Sequence, residues 1–402
     1  MKPLRGRIKW PCVTGASSMS QTATETNPAD QLAARGDLAR ARALLEQQAE
    51  QGGDCAFWLK LASLRRATGA PRAALDAIHQ ALALEPLNFI GLLSRASLLE
   101  ALRVEGCGEA YARALANRPP GDLPPPVAQL IDHAQRRAAE FTDDREQQLL
   151  EAMAPALDQA GEDSSRRIRR FCSNTVRKTR VYHSEPTHYS YPGLLEREFH
   201  DRSAFPWLRE LEAATVDILA ECEAIIAARE ARREPYVQYP AHEPLNQWRQ
   251  LNHNPDWTAI HLWRNGSRVE ENASRCPVTM AVLDRLPQPD ISGCSPNAMF
   301  SLLAPDTHIP PHVGVTNTRL VCHLPLIVPE GCWFRVGAET RFWEPGKAFV
   351  FDDSMDHEAR NPSDRLRVVL IFDVWHPGLT GEEKDAVRSL LQTDASSAAL
   401  AL

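Results

Sequence analysis

The pattern of hydrophobic and polar positions changes about halfway along the chain. Residues 28–118 are rich in Ala and Leu, with apolar residues at helical spacing. From about Tyr182 onwards, Pro, aromatic and β-branched residues become frequent and the apolar runs shorten to strand length. These runs are AMFSLLA (298–304), RLVCHLPLIV (319–328), CWFRVG (332–337), AFVFDD (348–353) and RVVLIFDVW (367–375). The pattern predicts an α-helical part followed by a many-stranded β domain.

The helical part repeats along its length. ALALEP at 81–86 recurs as ALANRP at 114–119, and Gly69 falls on Gly36 at the same step. A helix–turn–helix period of about 34 residues is the tetratricopeptide signature. We therefore predict tetratricopeptide (TPR)-like helical repeats over residues 28–118. A plain helical bundle is the alternative.

Breaks in composition suggest the remaining domain boundaries. Residues 1–27 are predicted to be a disordered N-terminus, and residues 119–180 a proline-rich linker followed by a helical connector. Gly and Pro turns separate the strands of residues 181–380, which favours a double-stranded β-helix of the jelly-roll, cupin-like type. Residues 381–402 complete the chain as a helix and tail. The predicted fold class is multidomain α + β.

Charge, hydropathy and cysteine usage exclude several classes of protein. The net charge of −7 argues against a general nucleic-acid binder, which needs a basic surface. No apolar run reaches the roughly 20 residues of a membrane span. The nine cysteines are scattered singly without a CxxC pair, which is typical of a reducing compartment. We expect a cytoplasmic protein without a membrane span or a nucleic-acid partner.

The stretch HIPPHVGVTNTR (308–319) raises the question of a metal site. Many non-haem iron oxygenases use two histidines and one carboxylate, with the acid placed shortly after the first histidine. Here the residue two positions after His312 is Gly314, which has no side chain. His312 and His357 both lie at strand ends of the predicted barrel. Two imidazoles there can hold a divalent iron, which makes these two residues candidates for a metal and catalytic site. Most histidines are core or surface residues, so the pair becomes informative only together with its neighbours.

A second group of residues indicates a dicarboxylate co-substrate. Arg367 begins a mostly apolar strand, where a guanidinium needs a partner, and a carboxylate is the natural one. Ser301 on an earlier strand can donate its hydroxyl to the same carboxylate, and His323 can bind a second carboxylate or orient the metal's partners. A diacid held in this way while chelating iron fits 2-oxoglutarate. The alternative is that Arg367 pairs with a nearby Asp.

From Asp256 to Pro377 the chain resembles the aspartyl/asparaginyl β-hydroxylases. The matching motifs are DWTAIHLWRNGSR, FSLLAPDTHIPPHVGVTNTRLVCHLPLIVPEGC, WEPGKAFVFDDSMDHEARN and DVWHP. HYSYPGL at 188–194 is also similar to the stretch that precedes the catalytic domain in that family. The resemblance covers roughly half the chain, and its combined motifs are highly specific.

The resemblance implies how the site works. Members of this family bind Fe(II) through two histidines and carry glycine at the acid position, which matches His312, His357 and Gly314. It further implies roles for four residues near the co-substrate: Ser301 and Arg367 at the distal carboxylate of 2-oxoglutarate, His323 near its other end, and Arg319 near the co-substrate and the substrate. One departure is Val321, where the animal enzymes have a second arginine. It puts a preference for Asp as the substrate in doubt.

The function implied is that of an Fe(II)- and 2-oxoglutarate-dependent dioxygenase. It would use O2 to hydroxylate a protein or peptide side chain of the Asp/Asn type, converting 2-oxoglutarate to succinate and CO2. We expect the TPR-like repeats to dock the polypeptide. One alternative is the same chemistry on a lipid acyl chain or a carrier-bound amino acid. The other is a TPR adaptor without catalytic activity.

Overall fold

The computed structural model describes residues 28–121, 125–228, 231–240 and 242–394. The N-terminal segment 1–27, predicted to be disordered, lies outside these residues. The chain divides into two compact units, residues 1–154 and 155–402.

Six short helices and most of a long one form the first unit. The short helices pair in sequence order, and α3 and α5, which occupy equivalent points of the repeat, begin at Cys55 and Phe89. The helices are α1 (Pro28–Ala34), α2 (Leu38–Ala49), α3 (Cys55–Ala67), α4 (Pro71–Leu84), α5 (Phe89–Ala101), α6 (Cys107–Leu115) and the long α7 (Pro125–Gln159), whose last residues belong to the second unit.

Positions one repeat apart have the same structural role in this unit. Ala41 and Ala74 are both fully buried where neighbouring helices pack. Gly36 and Gly69 both adopt left-handed backbone conformations, with φ of 83° and 77°, which glycine accepts without a steric penalty. The helical repeat spacing is therefore present in the structure, whereas membership of the tetratricopeptide class stays a prediction.

Polar side chains fix where several of these helices begin. Asp37 accepts a hydrogen bond from the backbone N–H of Arg40, and Asp54 accepts one from Phe57. These N-caps satisfy backbone donors that the first turn of a helix leaves free. The sequence therefore encodes the turns between the repeats as well as their apolar faces.

The second unit contains the β domain and its surrounding helices. Its strands are β1 (Glu234–Pro235), β2 (Trp257–Arg264), β3 (Ser267–Arg268), β4 (Ala298–Leu303), β5 (Thr307–His312), β6 (Arg319–Ile327), β7 (Trp333–Val336), β8 (Glu339–Phe342), β9 (Phe349–Phe351), β10 (His357–Asn361) and β11 (Arg367–Trp375). Its helices are α8 (Glu162–Thr175), α9 (Leu208–Ala213), α10 (Thr215–Ala227), α11 (Glu270–Ala273), α12 (Pro277–Leu283) and α13 (Gly381–Thr393).

The strands form two antiparallel sheets in the described residues. The large sheet has the order β1-β2-β4-β11-β6-β9, with β3 paired to β2, and the small sheet has the order β5-β10-β7-β8. Side chains alternate between the two faces of each strand. Val321 and Val369 of the large sheet share a core with Phe334 and Ala359 of the small sheet, so the two sheets face each other. Helices α9, α10 and α12 pack on the opposite face of the large sheet.

This arrangement confirms the predicted fold class of a helical N-terminal region followed by a jelly-roll β domain. The five apolar runs identified in the sequence all become strands. The structure adds strands that the sequence pattern did not predict, notably β5, which contains Pro310 and Pro311. Proline removes a backbone donor and is tolerated at a sheet edge. Strand β5 is an edge strand paired only with β10, which explains how it accommodates both prolines.

The helices and the cysteines have two further properties. No helix among the described residues is both long enough and apolar enough to cross a bilayer. The eight cysteines in the described part of the chain, all those after Cys12, form no disulfide with one another, and most of them are buried.

Candidate metal and co-substrate site

His312 and His357 lie beside each other on the small sheet. His312 ends β5 and His357 begins β10, and the two residues are register partners in this antiparallel pair. Their ring centroids are 4.0 Å apart. Trp248 packs edge-on against the His312 ring at a centroid distance of 4.9 Å. Two histidines from distant parts of the sequence thus meet in an aromatic setting.

Backbone contacts define which nitrogen of each ring is available. Nδ1 of His312 lies 2.8 Å from the carbonyl oxygen of Pro310, and Nδ1 of His357 lies 2.9 Å from that of Met355. A carbonyl oxygen can only accept, so both Nδ1 atoms carry the proton and donate. Each Nε2 therefore has a free lone pair, as a metal-binding imidazole requires.

Burial keeps both rings neutral. Removal from water lowers the pKa of His312 to about 3, with the neighbouring His357 as the next cause. Burial also lowers the pKa of His357, to about 4. Neutral imidazole is the form that binds metal, so protons do not compete for these two ligands near pH 7.

The carboxylate of Asp353 fills the space next to Gly314. The backbone N–H of Gly314 donates to the Asp353 carbonyl at 2.6 Å, which brings the two residues close together. A Cβ placed on Gly314 would overlap the Asp353 carboxylate. The φ angle of Gly314 is not in the left-handed region, so this position needs glycine for lack of space rather than for conformational freedom.

Asp353 pairs with an arginine instead of completing a ligand triad. Its Oδ2 lies 3.4 Å from Nη1 of Arg319, and both side chains are buried. Within the described residues, no group of three or more His, Cys, Asp and Glu side chains is placed to hold a metal ion. A divalent metal here would have two protein ligands, His312 and His357. The remaining positions would be open to a co-substrate and water.

Arg367 is a buried cation without a carboxylate partner in the described part of the chain. Its side chain is 1% exposed. Nη1 donates to the backbone oxygen and the hydroxyl of Ser301, both at 3.3 Å, and the guanidinium lies 4.9 Å from the centre of the Trp343 ring. Nε has no hydrogen-bond partner there. Burial without a nearby anion lowers the pKa of Arg367 to about 10. The alternative in which an Asp neutralises Arg367 therefore has no support.

Ser301 and His323 are oriented to assist a carboxylate at this position. Trp257 Nε1 donates to the Ser301 hydroxyl at 3.1 Å, so this oxygen accepts from both Trp257 and Arg367 and keeps its own proton to donate. His323 is buried among aromatic rings, and its Nδ1 has no hydrogen-bond partner among the described residues. Burial moves the pKa of His323 well below its usual value, with the charge of Arg367 as the next cause.

The structure brings all six predicted site residues to the space between the sheets. Arg319, His323, Ser301 and Arg367 lie on the inner face of the large sheet, as their register with Val321 and Val369 shows. His312 and His357 lie on the small sheet opposite. The residue roles stay predictions, but an unpartnered guanidinium and an unpartnered imidazole on the same wall fit a carboxylate-bearing ligand such as 2-oxoglutarate.

Sequence reasoning missed several contributors to this site. Trp257 and Trp343 are buried core residues that also support the site: Trp257 donates to Ser301, and Trp343 packs against Arg367. Asp373 was not singled out at all. An acid inside the apolar run RVVLIFDVW was the signal that could have identified it, because a buried carboxylate needs partners. His308 is engaged elsewhere and pairs with Glu358 at 2.8 Å.

Several known proteins are similar in sequence to part of this chain. Residues 212–377 match the family model described as aspartyl/asparaginyl beta-hydroxylase. The human aspartyl/asparaginyl beta-hydroxylase is 38% identical over 142 residues, which are 35% of this chain and 18% of the human protein. The ornithine lipid ester-linked acyl 2-hydroxylase of Rhizobium tropici is 32% identical over 198 residues, 48% of this chain and 66% of that protein.

A solved structure of an oxidoreductase of the 2OG-Fe(II) oxygenase family from Burkholderia pseudomallei has 14% sequence identity and a TM-score of 0.27, covering 46% of this chain and 94% of that one. The match to the aspartyl/asparaginyl β-hydroxylase family model lies within the C-terminal unit. The chain spans about a fifth of the length of the human aspartyl/asparaginyl beta-hydroxylase. It spans 40% of the human aspartate beta-hydroxylase domain-containing protein 2, to which it is 36% identical over 148 residues.

Proposed function

We propose that the C-terminal unit is an Fe(II)- and 2-oxoglutarate-dependent dioxygenase that hydroxylates its acceptor. The observation that carries the proposal is Arg367, a buried guanidinium without a carboxylate partner among the described residues, on the wall facing His312 and His357. A buried unpaired charge is costly, and a protein keeps one where a ligand of opposite charge completes it.

Each residue near the metal has a definable task. His312 and His357 would hold iron through their Nε2 atoms, because their Nδ1 atoms are engaged by backbone carbonyls. Bound iron with O2 and 2-oxoglutarate supplies the oxidation, in which one oxygen atom enters the acceptor as hydroxyl and the other enters succinate as CO2 leaves. Asp353 would compensate Arg319 and keep the space beside Gly314 closed to a third protein ligand.

The co-substrate would lie along the inner face of the large sheet. Arg367 and Ser301 would donate to its distal carboxylate, and His323 would lie beside its chelating end. Aromatic side chains around these residues exclude water, and the stacked pair of Tyr236 and Trp257, with centroids 3.9 Å apart, is one example. A low-dielectric setting strengthens each of these charged contacts.

We propose a protein or peptide side chain of the Asp/Asn type as the acceptor, docked on the N-terminal repeats. The protein names of the human and mouse relatives support this acceptor class.

In the first unit, Leu87 is 66% exposed and lies near the exposed Leu84 and Ile90 around the α4–α5 turn. Exposed apolar residues clustered in this way can bind a polypeptide. Leu87→Glu should raise KM for a polypeptide acceptor and leave KM for 2-oxoglutarate unchanged.

A second candidate acceptor is a lipid acyl chain or a carrier-bound amino acid. The match to the acyl 2-hydroxylase of Rhizobium tropici is longer than the match to the human enzyme, at 198 against 142 residues. Turnover of an acyl substrate with no turnover of any peptide would favour this candidate.

A cytoplasmic location is also part of the proposal, supported by described cysteines that form no disulfide with one another.

The proposed activity is tested by measuring succinate formed from 2-oxoglutarate by the full chain with Fe(II) and O2. His357→Ala should abolish metal-dependent succinate formation. His308→Ala is the matched control, since His308 lies on the same small sheet but pairs with Glu358. Equal succinate from His357→Ala and the wild type, or none from folded wild type under any acceptor mixture, would contradict the proposal and favour a repeat-domain adaptor.

A further inference from the structure

The two buried arginines of the large sheet differ in how their charges are compensated. Arg367 has no acidic partner among the described residues, whereas Arg319, at the other end of the inner face, has Asp353 at 3.4 Å. Arg319 is 4% exposed, and neither Nη1 nor Nη2 has a hydrogen-bond partner in that part of the chain. The two Nη atoms of Arg319 can therefore still donate hydrogen bonds, although Asp353 already compensates the charge of the guanidinium.

A second carboxylate, that of Asp373, lies on the neighbouring strand two residues before Trp375, the register partner of Arg319. Asp373 on β11 is 1% exposed and accepts hydrogen bonds from the Ser295 hydroxyl at 2.6 Å and the Asn297 backbone N–H at 2.9 Å. Burial raises the pKa of Asp373, and the positive charge of Arg319 opposes that rise. Strand β6 lies between β11 and β9 in the sheet, so the acids approach Arg319 from both sides.

The side chains that follow Arg319 along this face add no free positive charge. Val321 is buried in the apolar core and is the register partner of both Asp373 and Phe351. His323 comes next, is buried, and is uncharged near neutral pH. From Arg319 to His323 the wall therefore holds one guanidinium opposed by two carboxylates, followed by an apolar and a neutral group.

We propose that this end of the site selects an acceptor bearing a neutral group, such as a carboxamide or an acyl carbonyl, over one bearing a carboxylate. The free Nη donors of Arg319 can hydrogen-bond a neutral oxygen, whereas an incoming carboxylate would also meet Asp353 and Asp373. Asp373 is the positioning residue that sets this preference by compensating the charge of Arg319. The inference rests on the proposed function. It narrows the proposed Asp/Asn-type acceptor to Asn, whose side chain is uncharged.

The charge compensation is tested without knowing the natural acceptor. Removal of the Asp373 carboxylate by Asp373→Ala should let formate bind beside Arg319. Sodium formate, compared with sodium chloride at equal ionic strength, should then raise Tm saturably by about 2–4 °C more than it does in the wild type. Wild type should show a smaller formate-specific shift because, of the two buried arginines, only Arg367 is free to bind formate there. Ser295→Ala is the matched control, because it loosens the same hydrogen-bond network and leaves both charges in place.

Each outcome of the formate test decides the question. A formate-specific shift in Asp373→Ala no larger than that in the wild type would overturn the claim that Asp373 compensates Arg319. If Asp373→Ala does not fold, Asp373→Asn takes its place, and formate should stabilise it by a smaller amount. The metal-free protein is used throughout, so failure here is independent of whether iron and 2-oxoglutarate bind.

A second arm addresses the acceptor directly. Peptide pairs that differ only by Asn or Asp at the target position are incubated with the iron- and 2-oxoglutarate-loaded full chain, and hydroxylation is read by mass spectrometry. The Asn member should react at least about tenfold faster, a preference of about 1.4 kcal/mol. Equal or faster reaction of the Asp member would contradict the inference while leaving the dioxygenase itself established.

Discussion

The carboxylate of Asp353 occupies the volume into which any side chain at position 314 would project. Gly314 and Asp353 are joined by a 2.6 Å backbone hydrogen bond, and a Cβ at Gly314 would overlap the carboxylate. The glycine in His312-Val313-Gly314 therefore follows from packing. The space of a third ligand is taken by an acid that pairs with Arg319.

This relationship predicts that an acid cannot be restored at position 314 by a single substitution. Gly314→Asp should lower Tm because its Cβ would overlap the buried, ion-paired carboxylate of Asp353, and overpacking in a core costs about 1–3 kcal/mol. It should not increase Fe(II) affinity. The double variant Gly314→Asp with Asp353→Gly should recover part of the lost stability. Thermal unfolding and Fe(II) titration check both effects, and a Gly314→Asp variant as stable as the wild type would show that Asp353 moves aside freely.

Arg367 should affect stability and co-substrate binding in opposite directions. Arg367→Met removes a buried unpaired charge, so the metal-free protein should become more stable, by about 1–4 kcal/mol. The same change should cost about 2–5 kcal/mol of 2-oxoglutarate binding, because it removes the carboxylate's partner. Chemical denaturation and calorimetric titration measure the two effects. Arg365→Met, at an exposed neighbouring position, is the control and should change neither.

A buried histidine away from the metal site predicts acid sensitivity. Burial lowers the pKa of His200 to about 3, with the nearby His376 as the next cause. Below a pH of about 6.5, His200 binds a proton in the unfolded chain but not in the folded protein. The contribution of His200 to the free energy of unfolding is therefore complete above that pH and is lost as the pH falls. At pH 5 the loss is about 2 kcal/mol.

The histidine prediction is checked with one variant. His200→Gln should show a smaller loss of unfolding free energy between pH 7.5 and pH 5 than the wild type, by about 2 kcal/mol. Urea unfolding at both pH values provides the comparison. An identical pH dependence in the two proteins would mean that His200 is accessible to protons in the folded state.

The repeats of the first unit offer a prediction that leaves the catalytic site untouched. Ala74 is fully buried where helices α3 and α4 pack, so Ala74→Leu should destabilise this unit by about 1–3 kcal/mol through overpacking. Ala83→Leu, on an exposed position of the same helix, should be nearly neutral. Circular dichroism during denaturation compares the two. Equal effects would argue against the packed helix pairs described here.

The sequence predicted most of the fold because its local signals agree with the tertiary structure. Apolar runs became strands, and the repeat offset placed Ala41 and Ala74 at matching buried positions. Strand β5 was not predicted, because Pro310 and Pro311 read as a loop unless the strand is known to lie at a sheet edge.

The site was predicted less completely because its supporting contacts join distant parts of the chain. His312, His357, Arg367 and Ser301 were identified from residue type and from resemblance to a family. The contact between Asp353 and Gly314, and the position of Asp373 near Arg319, depend on how strands pack side by side. Periodicity shows which face a residue occupies but does not show which strands are neighbours.

The most direct test of the central claim is the metal-to-ligand charge-transfer absorption of the protein with Fe(II) and 2-oxoglutarate under anaerobic conditions. We predict a band in the wild type that is lost in His312→Ala, weakened in Arg367→Met at equal co-substrate concentration, and retained in His308→Ala. A folded wild type that shows no band, or a His312→Ala variant that keeps it at full strength, would contradict the account of this site.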